Sequence, residues 1–135
     1  MDMFVRLIVA VALSGLVGVE RELSHHGAGL RTQMTVGIGA ALFAIAGESL
    51  GDSRVAAQIV TGVGFLGVGA IIRDGMGIKG LTTAAGLWAV AAIGLAAGIG
   101  QLDLAVISTL ILVAVLFLMR PLERFLHRFG SLGEA

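Results

Sequence analysis

Cysteine is absent from this 135-residue chain, which excludes a disulfide framework, a thiolate zinc site, an iron–sulfur cluster and a cysteine nucleophile. Charge is scarce, at 13% of residues, and it is balanced: nine basic side chains against nine acidic ones. A nucleic-acid binder needs a basic excess to neutralise phosphates, so that class of partner is set aside. Proline occurs once, at Pro121. The chemistry left to the chain is carboxylate, guanidinium, hydroxyl, amide and imidazole.

What the chain has instead is hydrocarbon. Hydrophobic residues make up 57% of it and the mean hydropathy is +1.00, a membrane-protein composition. The charges punctuate the sequence and leave neutral runs at 7–19, 32–47, 55–72, 80–102 and 104–119. A span needs about 20 mostly apolar residues, or about 17 at the short end. The first run reaches that length if "MFV" is added and Arg6 snorkels to the headgroups. The chain is therefore expected to be an all-α integral membrane protein of five transmembrane helices over residues 1–120, followed by a short tail at 121–135. A cleaved signal peptide suits the first run less well, because "MDMFVR" has no positive excess and "SGLVGVERE" offers no small-x-small cleavage site.

Counting Lys and Arg in the short connections orients the bundle. Arg21, Arg31, Arg73, Lys79, Arg120, Arg124 and Arg128 fall on one side of a five-span arrangement, against Arg6 and Arg54 on the other. This predicts the N-terminus outside and the C-terminus in the cytoplasm. Pro121 is expected to end the fifth helix. Beyond it, Leu122, Phe125, Leu126 and Phe129 recur at helical spacing opposite Arg124 and Arg128, as in an amphipathic surface segment or a basic stop-transfer tail.

The stretch "TGVGFLGVGAIIRDG" spaces Gly62, Gly64 and Gly67 as G-x-G-x-x-G. A dinucleotide turn also needs an acid about 20 residues on for the ribose, where this chain has Thr82, and it does not sit inside a neutral run. A nucleotide is excluded as a partner. On a helix, Gly62 and Gly69 share one face, while Gly64 and Gly67 lie opposite with Ala56 and Ala57. Small residues let helix backbones approach closely in lipid, so the third helix is expected to be central and packed on both sides. A minority expectation is that it breaks near Gly62–Gly69, as transporter helices do. Gln58, near the Gly62 face, is expected to point into the bundle as interhelical glue. On the fourth helix Thr82, Gly86, Ala89 and Ile93 form another small-residue face, extended by Gly94 and Gly98; Thr82 and Thr83 are expected to cap the helix or bond back to it.

The densest polar stretch, "GVERELSHHGAGLRT", holds Glu20, Arg21, Glu22, Arg31 and Thr32, and topology puts Asp74 on the same side. Glu20, Glu22 and Asp74 are the candidate magnesium ligands, since that ion prefers carboxylate oxygen. Glu20 and Glu22 lie about 200° apart on a helix, so ion pairing with Arg21, Arg31 and Arg73 is the stronger expectation. The adjacent His25 and His26 read as loop. On the other side Asp52 or Ser53 is expected to cap the third helix beside Arg54 and Glu48. No nucleophile has an adjacent base and no span carries a chain of acids, so neither an enzyme nor a proton pump is expected.

Taken in series, "GVERE", "AGLRTQ", "RVAAQIVTGVGFLGVGAIIRDG" and "GLTTAAGLWAVAAIGLAAGIG" resemble the N-terminal membrane domain of the MgtC/SapB family. The resemblance implies a multi-pass protein of the bacterial inner membrane, linked to growth in low magnesium and to survival inside host cells. It also implies a regulator, one proposed target being the proton-driven ATP synthase, rather than the magnesium carrier of the family's usual label. Family-important positions would fall at Glu20, Arg21, Glu22, Arg31, Thr32, Arg54, Gln58, the third-helix glycines, Asp74, Thr82 and Thr83. Virulence-associated members look to carry Asn where this chain has Thr82 and Cys where it has Ala89. They also resemble a longer, two-part chain with a soluble C-terminal domain, so this chain is expected to be either a short SapB-like member or a truncated one. The leading expectation is a membrane regulator acting through helix contacts, with itself as a homo-oligomer or with a partner such as ATP synthase, and needing no cofactor. The alternative is a transporter of magnesium or another cation.

Overall fold

The computed structural model describes residues 1–75 and 77–130, with the side chains of Arg73 and Asp74 outside the description. Five helices are each long and apolar enough to cross a membrane: α1 (Met3–Leu23), α2 (Leu30–Leu50), α3 (Ser53–Ala70), α4 (Leu81–Gly98) and α5 (Leu102–Gly130). This is an all-α, multi-pass membrane architecture. Local chemistry sets several of the boundaries. Asp2 caps α1 by accepting from the Phe4 N–H at 3.2 Å, and Asp52 caps α3 by accepting from the Arg54 N–H at 2.9 Å. Between α3 and α4 a short antiparallel hairpin, β1 (Ile72–Asp74) with β2 (Gly77–Lys79), turns the chain. Gly80 closes it at φ +88°, where its missing Cβ leaves room for the Ala70 carbonyl.

The centre of the bundle is α4, not α3. It packs against all four other helices and buries most of its circumference, including Leu87, Val90, Ala91, Ile93 and Ala97, leaving exposed the stripe of Leu81, Ala85, Trp88 and Ala92. The expectation for α3 is corrected: it packs mainly on α4 and α2 and buries only Ile59, Val63 and Gly67. A Cβ added at Gly62, Gly64 or Gly69 would meet nothing within 4 Å. Glycine permits a close approach but does not supply the partner. The bulky Phe65, Leu66 and Val68 on the same helix are exposed as well. The helix is also continuous from Ser53 to Ala70, so it is not broken beside Gln58.

Close backbone approach occurs instead along α2. A methyl group on Gly98 would come within 2.7 Å of the Ala41 carbonyl oxygen, and one on Gly94 would collide with the Gly37 carbonyl. Ala40, Ala41 and Ala44 supply the facing surface, the small-against-small contact that lipid favours. A second correction concerns Pro121, which lies inside α5 rather than ending it. Proline leaves the carbonyl four residues back without its donor, here Phe117. Both residues sit on the exposed side of the helix, where that carbonyl is not sealed in the core. At about 1.5 Å per residue α5 is about 43 Å long, and residues 121–129 are all exposed.

Candidate functional site

Polar side chains gather at the two ends of the bundle. At the end formed by the C-terminus of α1 and the start of α4, Arg21 is only 2% exposed. Its Nη2 donates to Thr83 Oγ1 at 3.1 Å, which joins α1 to α4. Glu20, also buried, forms an ion pair with Arg120 of α5 and lies 3.9 Å from Arg21 Nη1. Three helices are thereby tied by one acid and two guanidiniums. The set is not fully satisfied: Arg21 Nε and Glu20 Oε2 are buried without a hydrogen-bond partner among the described residues.

Glu22 turns the other way, as its angular separation from Glu20 requires. Its carboxylate accepts from the Leu30 N–H at 3.0 Å and so caps α2. It borders a shallow cleft shared with the exposed Arg31 and Thr32. The backbone of Asp74 pairs with Gly77 in the hairpin, while its side chain, like that of Arg73, lies outside the described residues. Glu20 and Glu22 thus do not converge, and no group of three His, Asp or Glu side chains that could hold a metal is found among the described residues. The expected pairing of these acids with Arg31 gives way to Arg120, a hundred positions along the chain.

Thr82 and Thr83 part company. Thr83 is buried against Arg21, whereas Thr82 is exposed on a cavity of about 560 Å³ that it shares with Arg21, His26, Arg120 and Glu123. Neither caps α4, whose start at Gly80 has no side-chain cap among the described residues. Gly86 is buried one turn further on, with nothing within 4 Å of where its Cβ would stand.

At the opposite end Arg6 donates to Glu48 at 2.5 Å and to the Gly98 carbonyl at 3.0 Å, clamping α1, α2 and α4. Arg54 makes two 3.0 Å bonds to the carboxylate of Asp52, its own helix cap. Those bonds, and next the Arg54 backbone N–H, hold the Asp52 carboxyl below its usual range. Between the two ends, the buried hydroxyls of Ser14 and Thr109 bond back to carbonyls of their own helices at 2.6 and 2.8 Å.

Gln58 does not point into the bundle. It is exposed on an apolar groove of about 600 Å³ between α2 and α3, with Thr35, Gly39, Phe43, Gly62 and Leu66. The reason is angular: α3 seats the Ile59, Val63 and Gly67 face, and Gln58 stands about 100° away from Ile59. Its amide makes no hydrogen bond among the described residues. The buried amide is Gln33, fully enclosed, whose Nε2 donates to the Ala28 carbonyl at 3.0 Å. It had a sequence signal, since Gln33 lies one turn before Gly37, Ala40 and Ala44 on the small face of α2. Arg120 had none.

A family model described as MgtC family matches residues 7–125. The chain is 47% identical to "Protein MgtC" of Brucella abortus (strain 2308) over 122 residues, covering 87% of this chain and 51% of that protein. It is 44% identical to "Protein MgtC" of Salmonella typhimurium (strain LT2) over 131 residues, covering 95% and 57%. The chain therefore spans about half the length of these curated relatives. No solved structure matches it.

Proposed function

The chain belongs to the MgtC family, and on that footing we propose that it is a bacterial inner-membrane regulator, not an enzyme, that works by helix contacts with a second copy or another membrane complex. The observation that supports this most is the open side of α3. Gly62 and Gly69 share a face there with Gln58, whose amide has no hydrogen bond among the described residues. In lipid an amide gains by finding a partner on another helix, at about 1–2 kcal/mol in model helices. On this proposal the basic end faces the cytoplasm, the protein takes part in adaptation to low magnesium and to life inside a host cell, and the proton-driven ATP synthase is a candidate target.

Magnesium or other cation transport is the rival. It requires acids that meet at a point or along a path, whereas Glu20 is committed to Arg120 and Glu22 to the start of α2. Site-directed crosslinking from Gln58 and Gly62 in native membranes tests the proposal. Adducts to a second copy or to one membrane protein are expected, weakened by Gly62→Leu. A chain that crosslinks only to lipid, and that carries magnesium into proteoliposomes, would refute it.

A further inference from the structure

The cavity between the ends of α1, α4 and α5 has features that the helix-contact proposal does not use. Gly80, Leu81, Thr82 and Thr83 line it, so it opens onto the start of α4. Among the described residues that helix has no side-chain cap; the Ala84 N–H reaches the Gly80 carbonyl at 2.9 Å, and the three N–H groups before it belong to the first turn. Such a turn carries the positive end of the helix dipole and unpaired donors, which suit an anion. Independently, Arg21 reaches the same cavity from α1. It is 98% buried by its 2% exposure, is held by Thr83, and its Nε has no hydrogen-bond partner among the described residues. With Arg120 it provides two cations against the single Glu20 carboxylate behind them.

Two more features narrow the ligand. Glu123 lines the cavity as an exposed carboxylate with no ion pair among the described residues. The lining thus sets the Glu123 carboxylate across from the guanidiniums of Arg21 and Arg120, with His26 beside them, so that a ligand carrying both an anionic and an ammonium group meets both signs. Val115, Leu116 and Met119 of α5 form an apolar wall beside these groups. A polar pocket with an apolar wall, at the level where the spans end, meets lipid at the boundary of headgroup and acyl chain. At about 560 Å³ it falls within the range of small-ligand sites.

We propose that this cavity is a binding site for the headgroup of a zwitterionic, ammonium-bearing phospholipid such as phosphatidylethanolamine. The phosphate sits between Arg21 and the first turn of α4, the ammonium faces Glu123, and the acyl chains follow α5. The proposal goes beyond the regulatory reading and is independent of it.

Native mass spectrometry of the detergent-purified full chain tests it, after equilibration with equal amounts of phosphatidylethanolamine and phosphatidylglycerol. One phosphatidylethanolamine per chain is expected to be retained with about tenfold preference, the equivalent of one charged hydrogen bond. Glu123→Gln, at an exposed position, is expected to bring the two lipids to parity. Arg21→Lys keeps the charge but loses the planar fork and is expected to weaken retention of both about tenfold; Thr82→Val, on the exposed rim, is the companion variant if Arg21→Lys does not fold. Equal retention of the two lipids by the unaltered chain overturns the proposal, as does a preference that Glu123→Gln leaves intact. Displacement of the lipid by millimolar inorganic phosphate or free phosphoethanolamine would assign the site to a soluble phosphate and overturn it too.

Discussion

Replacing Arg120 by Ala removes the cation that faces Glu20 and leaves a carboxylate whose side chain is 7% exposed. Breaking a fully buried pair from one side costs about 3–5 kcal/mol, because the stranded charge has lost both water and partner. Two features of this pair lower the figure. Arg120 is itself 31% exposed, so water can reach part of the vacated space, and Arg21 stays 3.9 Å from Glu20 as a second cation. The expected loss for Arg120→Ala is therefore about 2–3 kcal/mol, at or just below the lower end of that range. That is roughly a 30-fold to 150-fold shift in the unfolding equilibrium. Glu20→Gln takes the carboxylate from both Arg120 and the more deeply buried Arg21 and is expected to cost at least as much, and the double variant is expected to lose less than the sum of the two single losses. Steric-trap unfolding in bicelles of the four proteins in this double-mutant cycle would measure it. If the two losses simply add, with coupling below about 0.5 kcal/mol, Glu20 and Arg120 do not act as a pair, and the proposed tie between α1 and α5 falls.

Gly98→Ala is expected to destabilise the bundle by about 1–3 kcal/mol through overpacking, because its Cβ would stand 2.7 Å from the Ala41 carbonyl; the same unfolding assay checks it. Gly64→Ala, with nothing within 4 Å, should be neutral or should stabilise by up to about 1 kcal/mol through helix propensity; a loss as large as that of Gly98→Ala would mean that α3 is packed on that side. Gln58→Leu should leave the stability of the single chain within about 0.5 kcal/mol and reduce crosslinking to partners severalfold; unchanged crosslinking counts against the amide as a contact. For Asp52 the sign follows from its lowered carboxyl pKa: the cap's contribution is present above the ordinary carboxylate value of about 3.9 and is lost as pH falls through the lower folded value. Hydrogen-exchange protection of the Arg54 amide should fall across that acid window, and Asp52→Ala should abolish the dependence.

Much of the architecture was legible in the residues. Neutral runs between charges locate five helices because a span must hide its backbone in its own hydrogen bonds and can carry few charges into hydrocarbon. The divergence of Glu20 and Glu22 is equally local, since 100° per residue is a property of the helix alone. The burial of α4 was less legible. Runs of glycine look alike on α3 and α4, and only the placement of neighbours tells which run is covered. The same holds for Gln58: it shares the Gly62 face as helix geometry requires, but the seated face of α3 is the Ile59, Val63 and Gly67 face instead.

By itself, then, the sequence determined the solvent this chain lives in, the number of its spans and the family to which it belongs, because these follow from composition, run length and motifs in series. Tertiary structure alone decided that Arg120 answers Glu20 across a hundred positions, that Arg21 rests on Thr83, and that the start of α4 opens onto a cavity beside them. Local periodicity says which residues share a face of one helix. Which faces of different helices meet is settled by how small surfaces fit together in three dimensions.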